Sequence, residues 1–197
     1  NNIGSVYWKW GRYNEAVDYY AQSLEIRREL TDTVLIAGSL TNLALAYKSM
    51  GEFSQSLQHY FDALNLLEST ENKSRTALVY NHIGSLYLSY NKYTEALRYY
   101  LDALGARYLS GNTEDIAHSL LNIGTLYLRL NQFEKALHYF NQVLDIANNT
   151  NNKKLLANTY HYIGNTFTSL TDHTNALKQY NKALIIKQNL GDKKEIA

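Results

Sequence analysis

A fixed period of 40 residues constrains this chain more than any other feature. The hexapeptide Asn122-Ile123-Gly124-Thr125-Leu126-Tyr127 has near-copies at 2–7, 42–47, 82–87 and 162–167. The small residue of each copy falls at 4, 44, 84, 124 and 164, without slippage. Self-similarity at this spacing marks a repeat architecture, in which each unit buries its apolar face against its neighbours. The 197 residues therefore predict one domain, 1–197, rather than two globular ones. Its five repeats fall at about 1–32, 33–72, 73–112, 113–152 and 153–192.

Each unit divides into two helical patterns. The first, helix A, carries the hexapeptide; in the second unit it is expected from Thr33 to Met50, with Leu40, Leu43, Ala44 and Tyr47 at helical spacing. Its stop residues are Gly11, Gly51, Asn91, Asn131 and Thr171. Gly and Asn tolerate the left-handed conformation after a helix, and a β-branched residue does not. The fifth turn is accordingly expected to differ. Helix B follows at once, with Asn14, Ser54, Thr94 and Thr174 as expected N-caps and Glu134 a weaker one. It then carries a small–aromatic–aliphatic stripe: Ala16, Tyr20, Leu24; Ser56, Tyr60, Leu64; Ala96, Tyr100, Leu104; Ala136, Phe140, Leu144; Ala176, Tyr180, Leu184. A small residue and an aromatic on one face suit two closely packed antiparallel helices. The absence of proline fits a nearly all-helical chain. Trp10 shares a register with Met50, Tyr90 and Leu130 and is expected in the core, with Trp8 outside.

Composition removes several functions. With no cysteine there are no disulfides, thiolate metal sites or thiol nucleophiles. The net charge of +1 and the scattered lysines leave no basic stripe, so no nucleic acid is expected as partner. No apolar run reaches the ~18 residues of a membrane span, and no charged-then-apolar leader is visible, so no membrane partner is expected and the cytoplasm is favoured. No phosphate loop, zincin helix or nucleophile elbow is present, so no catalytic residue, cofactor or metal is expected. Both ends read as cut from a longer chain, since neither carries a polar capping repeat and the tail from Gly191 resembles the start of another unit.

Ile3-Gly4, Tyr7, Ala16 and Tyr20, and again Leu120, Ile123-Gly124, Tyr127, Ala136 and Phe140, resemble the signature of the tetratricopeptide repeat. There are two departures: a period of 40 rather than about 34 residues, and no terminal proline. The longer unit is similar to the repeats of Leu-Gly-Asn-type adaptors and of bacterial sensory arrays. The resemblance implies an all-α fold, a right-handed α-solenoid of antiparallel helix pairs. It also implies a concave groove, lined by the A helices, that holds a peptide or helix of a protein partner.

Within that resemblance the position two before the repeat glycine faces the groove: Asn2, Asn42, His82, Asn122 and Tyr162. An amide both donates and accepts, which suits the main chain of an extended peptide. Further lining is expected from Leu78, His118 and Asn158, from Ser85, Thr125 and Asn165, and from Lys9, Lys48, Leu88 and Arg129. The cation set with which some family members clamp a C-terminal carboxylate is not reproduced, because His82, His118 and Tyr162 stand at the matching places. His82 and His118 lack a third ligand at metal spacing. The paired aromatics Tyr19-Tyr20, Tyr99-Tyr100 and Tyr139-Phe140 read as packing, one ring in the stripe and one on its flank. The expected function is a non-enzymatic interaction module. The alternatives are a sensor segment of a signalling protein, such as a histidine kinase, cyclase or transcriptional regulator, and an array that self-associates through its ends.

Overall fold

The computed structural model describes residues 1–191, and the part of the tail read as a further repeat, 192–197, lies outside them. The described residues form ten α-helices: α1 (Asn2–Lys9), α2 (Tyr13–Glu29), α3 (Thr33–Met50), α4 (Phe53–Glu68), α5 (Lys73–Ser89), α6 (Tyr93–Ser110), α7 (Thr113–Arg129), α8 (Phe133–Asn149), α9 (Lys153–Ser169) and α10 (His173–Asn189). The B helices start at 13, 53, 93, 133 and 173, and the complete A helices at 33, 73, 113 and 153, so the sequence period is also the structural one. The fold is an all-α repeat of the solenoid type. The chain divides into two compact units, Asn1–Ser110 and Gly111–Ala197. In the first, each of α1 to α6 packs on the next; in the second, α7 to α10 do the same.

The contact between the helices of a pair is the closest in each repeat. A Cβ built on Gly4, Gly84, Gly124 or Gly164 would stand 2.5–2.7 Å from a ring carbon of Tyr20, Tyr100, Phe140 or Tyr180. The ring of helix B thus lies directly on the backbone of helix A. In the second pair, where Ala44 replaces glycine, Ser56 replaces the small alanine and its Oγ donates to the Ala44 carbonyl at 2.8 Å. The helix-B stripe is buried through Ala16, Tyr20 and Leu24, through Tyr60 and Leu64, and through Ala96, Tyr100 and Leu104. It opens in α10, where Leu184 is exposed. The flanking aromatic stacks within its own pair: Tyr7 on Tyr19, Tyr87 on Tyr99 and Tyr127 on Tyr139, with centroids 5.2–5.5 Å apart. His59 takes that place against Tyr47.

Three expectations are corrected. The fifth A–B turn does not differ from the others. Thr171 adopts φ 59°, close to Asn91 and Asn131 at 57° and 56°. Its amide bonds Thr168 O, and the Asp172 amide reaches back to Phe167 O at 2.9 Å. The same two bonds close the turns at Gly11, Gly51, Asn91 and Asn131, in a Schellman motif. The closure dictates the conformation, and Thr171 carries the strain. The odd turn instead joins α4 to α5: Thr31, Gly111, Asn151 and Gly191 are left-handed after B helices, whereas 69–72 contains no left-handed residue.

The second correction concerns helix starts. The expected caps Asn14, Ser54, Thr94, Glu134 and Thr174 lie one residue inside their helices, because the Schellman turn leaves a single residue before helix B begins. The N-caps include Arg12, Glu52, Gln132 and Asp172, and of these only Asp172 caps through its side chain. Side-chain capping belongs to the A helices, where Asp32, Asn72, Asn112 and Asn152 each accept from first-turn amides. The third concerns Trp10, which is 68% exposed. It is the C-cap of α1, and the same register at Met50, Tyr90 and Leu170 is also exposed.

Two substitutions of opposite sign test this packing by thermal unfolding. Gly84→Ala forces a methyl against the Tyr100 ring and is expected to cost about 1–3 kcal/mol. Thr171→Gly removes the left-handed strain of a β-branched residue and is expected to add about 1 kcal/mol.

Candidate functional site

In two repeats the residue two before the repeat glycine lies against the aromatic of the preceding repeat. His82 stacks on Tyr60 with centroids 5.8 Å apart and planes 9° apart. In the second unit Tyr162 stacks on Phe140 at 5.5 Å and 19°. The residues there are Asn42, half-buried in α3, and Asn122, half-buried in α7. His82 and Tyr162 are thus each footed on a buried ring of the repeat before.

In the unit Asn1–Ser110 four of the expected lining residues come together. Asn2, Asn42, Leu78 and His82 line one pocket of about 300 Å³. They come from α1, α3 and α5, the A helices of three successive repeats. Lys48 and Ser85 are joined to one another, Nζ donating to Oγ at 2.6 Å. Burial lowers the Lys48 ammonium below the usual lysine range. Burial also pushes His82 down to about 4, and the positive charges of Lys48 and Arg107 add to the effect. His82 is therefore a neutral ring at physiological pH and can accept as well as donate.

In the unit Gly111–Ala197 the expected residues are more dispersed in role. Thr125 Oγ1 donates to the Leu121 carbonyl of its own helix at 2.8 Å. Asn165 Oδ1 accepts from the Tyr180 hydroxyl at 2.7 Å, which ties it to helix B. Its counterpart Ser5 accepts from Tyr20 at 3.2 Å in the same way. Leu45 occupies this register in the second repeat, and the buried Tyr60 hydroxyl there has no protein partner. His118 and Arg129 are exposed, and Asn158 is half-buried. Lys9 is exposed and Leu88 half-buried in the other unit. Among the described residues no three of His, Asp and Glu gather as a metal ion requires.

The pocket contains residues that sequence reasoning missed. Arg27, on α2, donates from Nη1 to the Leu35 carbonyl at 2.7 Å and to Ser39 Oγ at 3.1 Å. With the Asn1 amide oriented to satisfy its donors, its oxygen accepts from Nη1 and Nη2 of Arg27 at 2.6 and 2.8 Å. Arg75 enters from the first turn of α5, and Gly38 forms part of the wall. Arg27 was overlooked because it lies on a B helix and the groove lining was sought on the A helices, although its register is basic again at Arg107 and Lys187. Gly38 did leave a signal: its register partners are Leu78, His118 and Asn158, so one repeat lacks a side chain where the others have one.

Comparison with known proteins follows from this geometry. A tetratricopeptide repeat family model matches residues 1–69, 35–107 and 75–149. No curated protein matches the sequence. Among solved structures, BtubC (BKLC) from P. vanneervenii is 21% identical with TM-score 0.84, over 96% of this chain and 78% of its own. A putative kinesin light chain with nearly identical TPR-like repeats from Podospora anserina is 14% identical, TM-score 0.80, over 98% and 94%. Aspartyl phosphate phosphatase F from Bacillus subtilis is 18% identical with TM-score 0.87, over 97% of this chain and 50% of that protein. At these identities the likeness is one of fold.

The neutral state of His82 has a measurable consequence. The unfolded chain protonates this ring near 6.5, and the folded chain only near 4. Between those values the unfolded state binds more protons, so stability falls as pH drops from 6.5 toward 4. His82→Asn, the residue found at 2, 42 and 122, is expected to flatten this loss by up to roughly 3 kcal/mol. Melting temperature followed against pH for both proteins checks it.

Proposed function

Because the chain belongs to the tetratricopeptide repeat family, we propose that it is a non-enzymatic interaction module holding a peptide or helix of a protein partner against its A helices. Repeats of this family generally mediate protein–protein interaction, and no helix among the described residues is long and apolar enough to cross a membrane. The observation that carries the finer reading is the convergence of Asn2, Asn42, Leu78 and His82, from three A helices, on one pocket. Amides set beside a neutral ring and apolar walls can hold a peptide main chain while its side chains find room between them. The polar residues recur at the repeat period, so a bound strand would meet similar groups along its length. Asn122 and Tyr162 extend the same register in the other unit. Fold alone supplies no chemistry, and no catalytic family is matched.

A display selection of random peptides on the folded chain, followed by fluorescence anisotropy, tests this. The Asn42→Ala, Asn122→Ala double variant is expected to bind the selected peptides roughly tenfold more weakly. Its melting temperature should stay within a few degrees of the parent. Unchanged binding, or a large loss of melting temperature in its place, would assign the two amides to structure.

A further inference from the structure

The pocket of the first unit is cationic as well as concave. Arg27 and Arg75 both turn toward Gly38, their Nη1 atoms 3.6 and 3.8 Å from where a Cβ on that residue would stand. The two guanidinium groups therefore both reach the space a side chain would fill. No Asp or Glu lines the pocket. Two like charges sharing a partly enclosed volume repel one another, and an anion between them reverses the sign of that interaction. Arg27 is held by the Leu35 carbonyl, Ser39 and the Asn1 amide oxygen, so its fork is oriented in advance and an incoming carboxylate takes the place of the Asn1 oxygen. A guanidinium presents five donors in a plane, a geometry matched to a carboxylate.

The other walls set the size of the guest. Val34, Leu45, Leu67 and Val79 contribute apolar surface beside the two cations. At about 300 Å³ the volume suits a single side chain. The opening exists because Gly38 stands where later repeats carry Leu78, His118 and Asn158. Helix α3 is otherwise continuous through this point, and a glycine in a helix interior weakens it, so the missing side chain brings no local benefit.

We propose that this pocket selects an acidic side chain, glutamate or aspartate, in the partner segment, gripped between Arg27 and Arg75 and admitted by Gly38. The proposal rests on the peptide-binding reading above. It places charge selectivity in the first unit, while the amide register supplies contacts indifferent to side chain.

The test uses peptides selected by display on the intact chain, with three changes: Arg75→Gln, Gly38→Leu, and Glu→Gln in the peptide. Arg75 is exposed, and no protein contact of its guanidinium is needed for the fold described, so Arg75→Gln reports on binding. A Cβ at Gly38 meets its neighbours at ordinary contact distance, so Gly38→Leu fills the pocket while leaving the helix intact. The expected result is a shared acidic residue in the selected peptides. Each change should then weaken binding roughly tenfold or more, as for a charge-assisted bond. The Arg75→Gln and peptide Glu→Gln losses should overlap rather than add. Peptides with no shared acid, or additive losses, overturn the proposal. So does a phosphoserine peptide that binds while its glutamate counterpart does not, which would assign the pocket to phosphate. Peptides that ignore Arg75→Gln and Gly38→Leu but respond to Asn42→Ala, Asn122→Ala remove this inference and keep the interaction reading. A selection that yields no binder, or binders indifferent to every change, removes both.

Discussion

The structure depends on an aromatic ring lying on a bare stretch of backbone. Tyr20, Tyr100, Phe140 and Tyr180 each press on the glycine of the partner helix, at distances a Cβ could not share. That contact sets how closely helix A and helix B approach. The approach in turn fixes where the ring's far side meets the next repeat, as with Tyr60 under His82 and Phe140 under Tyr162. Packing density of this kind leaves little freedom, because interiors respond to even one methylene. The repeat is thus a rigid holder, and residues at its outward edge inherit their positions from the core.

From this follows a division of labour along the hexapeptide. Ile123, Gly124 and Leu126 are buried, and their counterparts Ile83, Gly84 and Leu86 are too. The first two vary little from copy to copy, reading Ile or Leu and then Gly or Ala, because they hold helix to helix. The residue preceding them varies as Asn, Asn, His, Asn and Tyr. Its neighbours vary too: the register of Ser5 reads Ser, Leu, Ser, Thr and Asn, and the hydroxyl chemistry of helix B varies beside it. Tyr180 has Asn165 as acceptor and Tyr20 has Ser5. Phe140 needs none, and Thr125 beside it turns to its own helix. Among the described residues only Tyr60, opposite Leu45, is left with a buried hydroxyl and no protein partner. A mismatch at that one repeat lies under His82, on the rim of the pocket.

The sequence read well wherever a contact repeats. Helix A from Thr33 to Met50 and the Ala16-Tyr20-Leu24 stripe were legible because burial imposes a period. It read poorly where backbone closure overrides residue preference. Thr171 takes a left-handed conformation because two carbonyls at the end of α9 must be satisfied. The same closure moved the start of every B helix ahead of its apparent cap. Trp10 was misplaced because the apolar register it shares with Met50, Tyr90 and Leu130 was taken for core, and Met50 and Tyr90 are exposed too. At the site, the A-helix residues Asn2, Asn42, Leu78 and His82 were found by register. Arg27 and Arg75 were not: the register of Arg75 reads Leu35, Asp115 and Leu155 elsewhere, and the register of Arg27, which is basic again at Arg107 and Lys187, lies on the B helices, where no lining was sought.

We propose that a partner is held at the pocket lined by the A helices of the first unit, with the outer residues of the B helices taking no part. Amide chemical-shift mapping with a display-selected peptide tests it most directly. The account predicts shifts clustered at Asn2, Gly38, Asn42, Leu78 and His82, with α4 and α8 outer residues such as Gln58 and His138 unmoved. Shifts concentrated on those outer positions, with the A-helix residues silent, would contradict it.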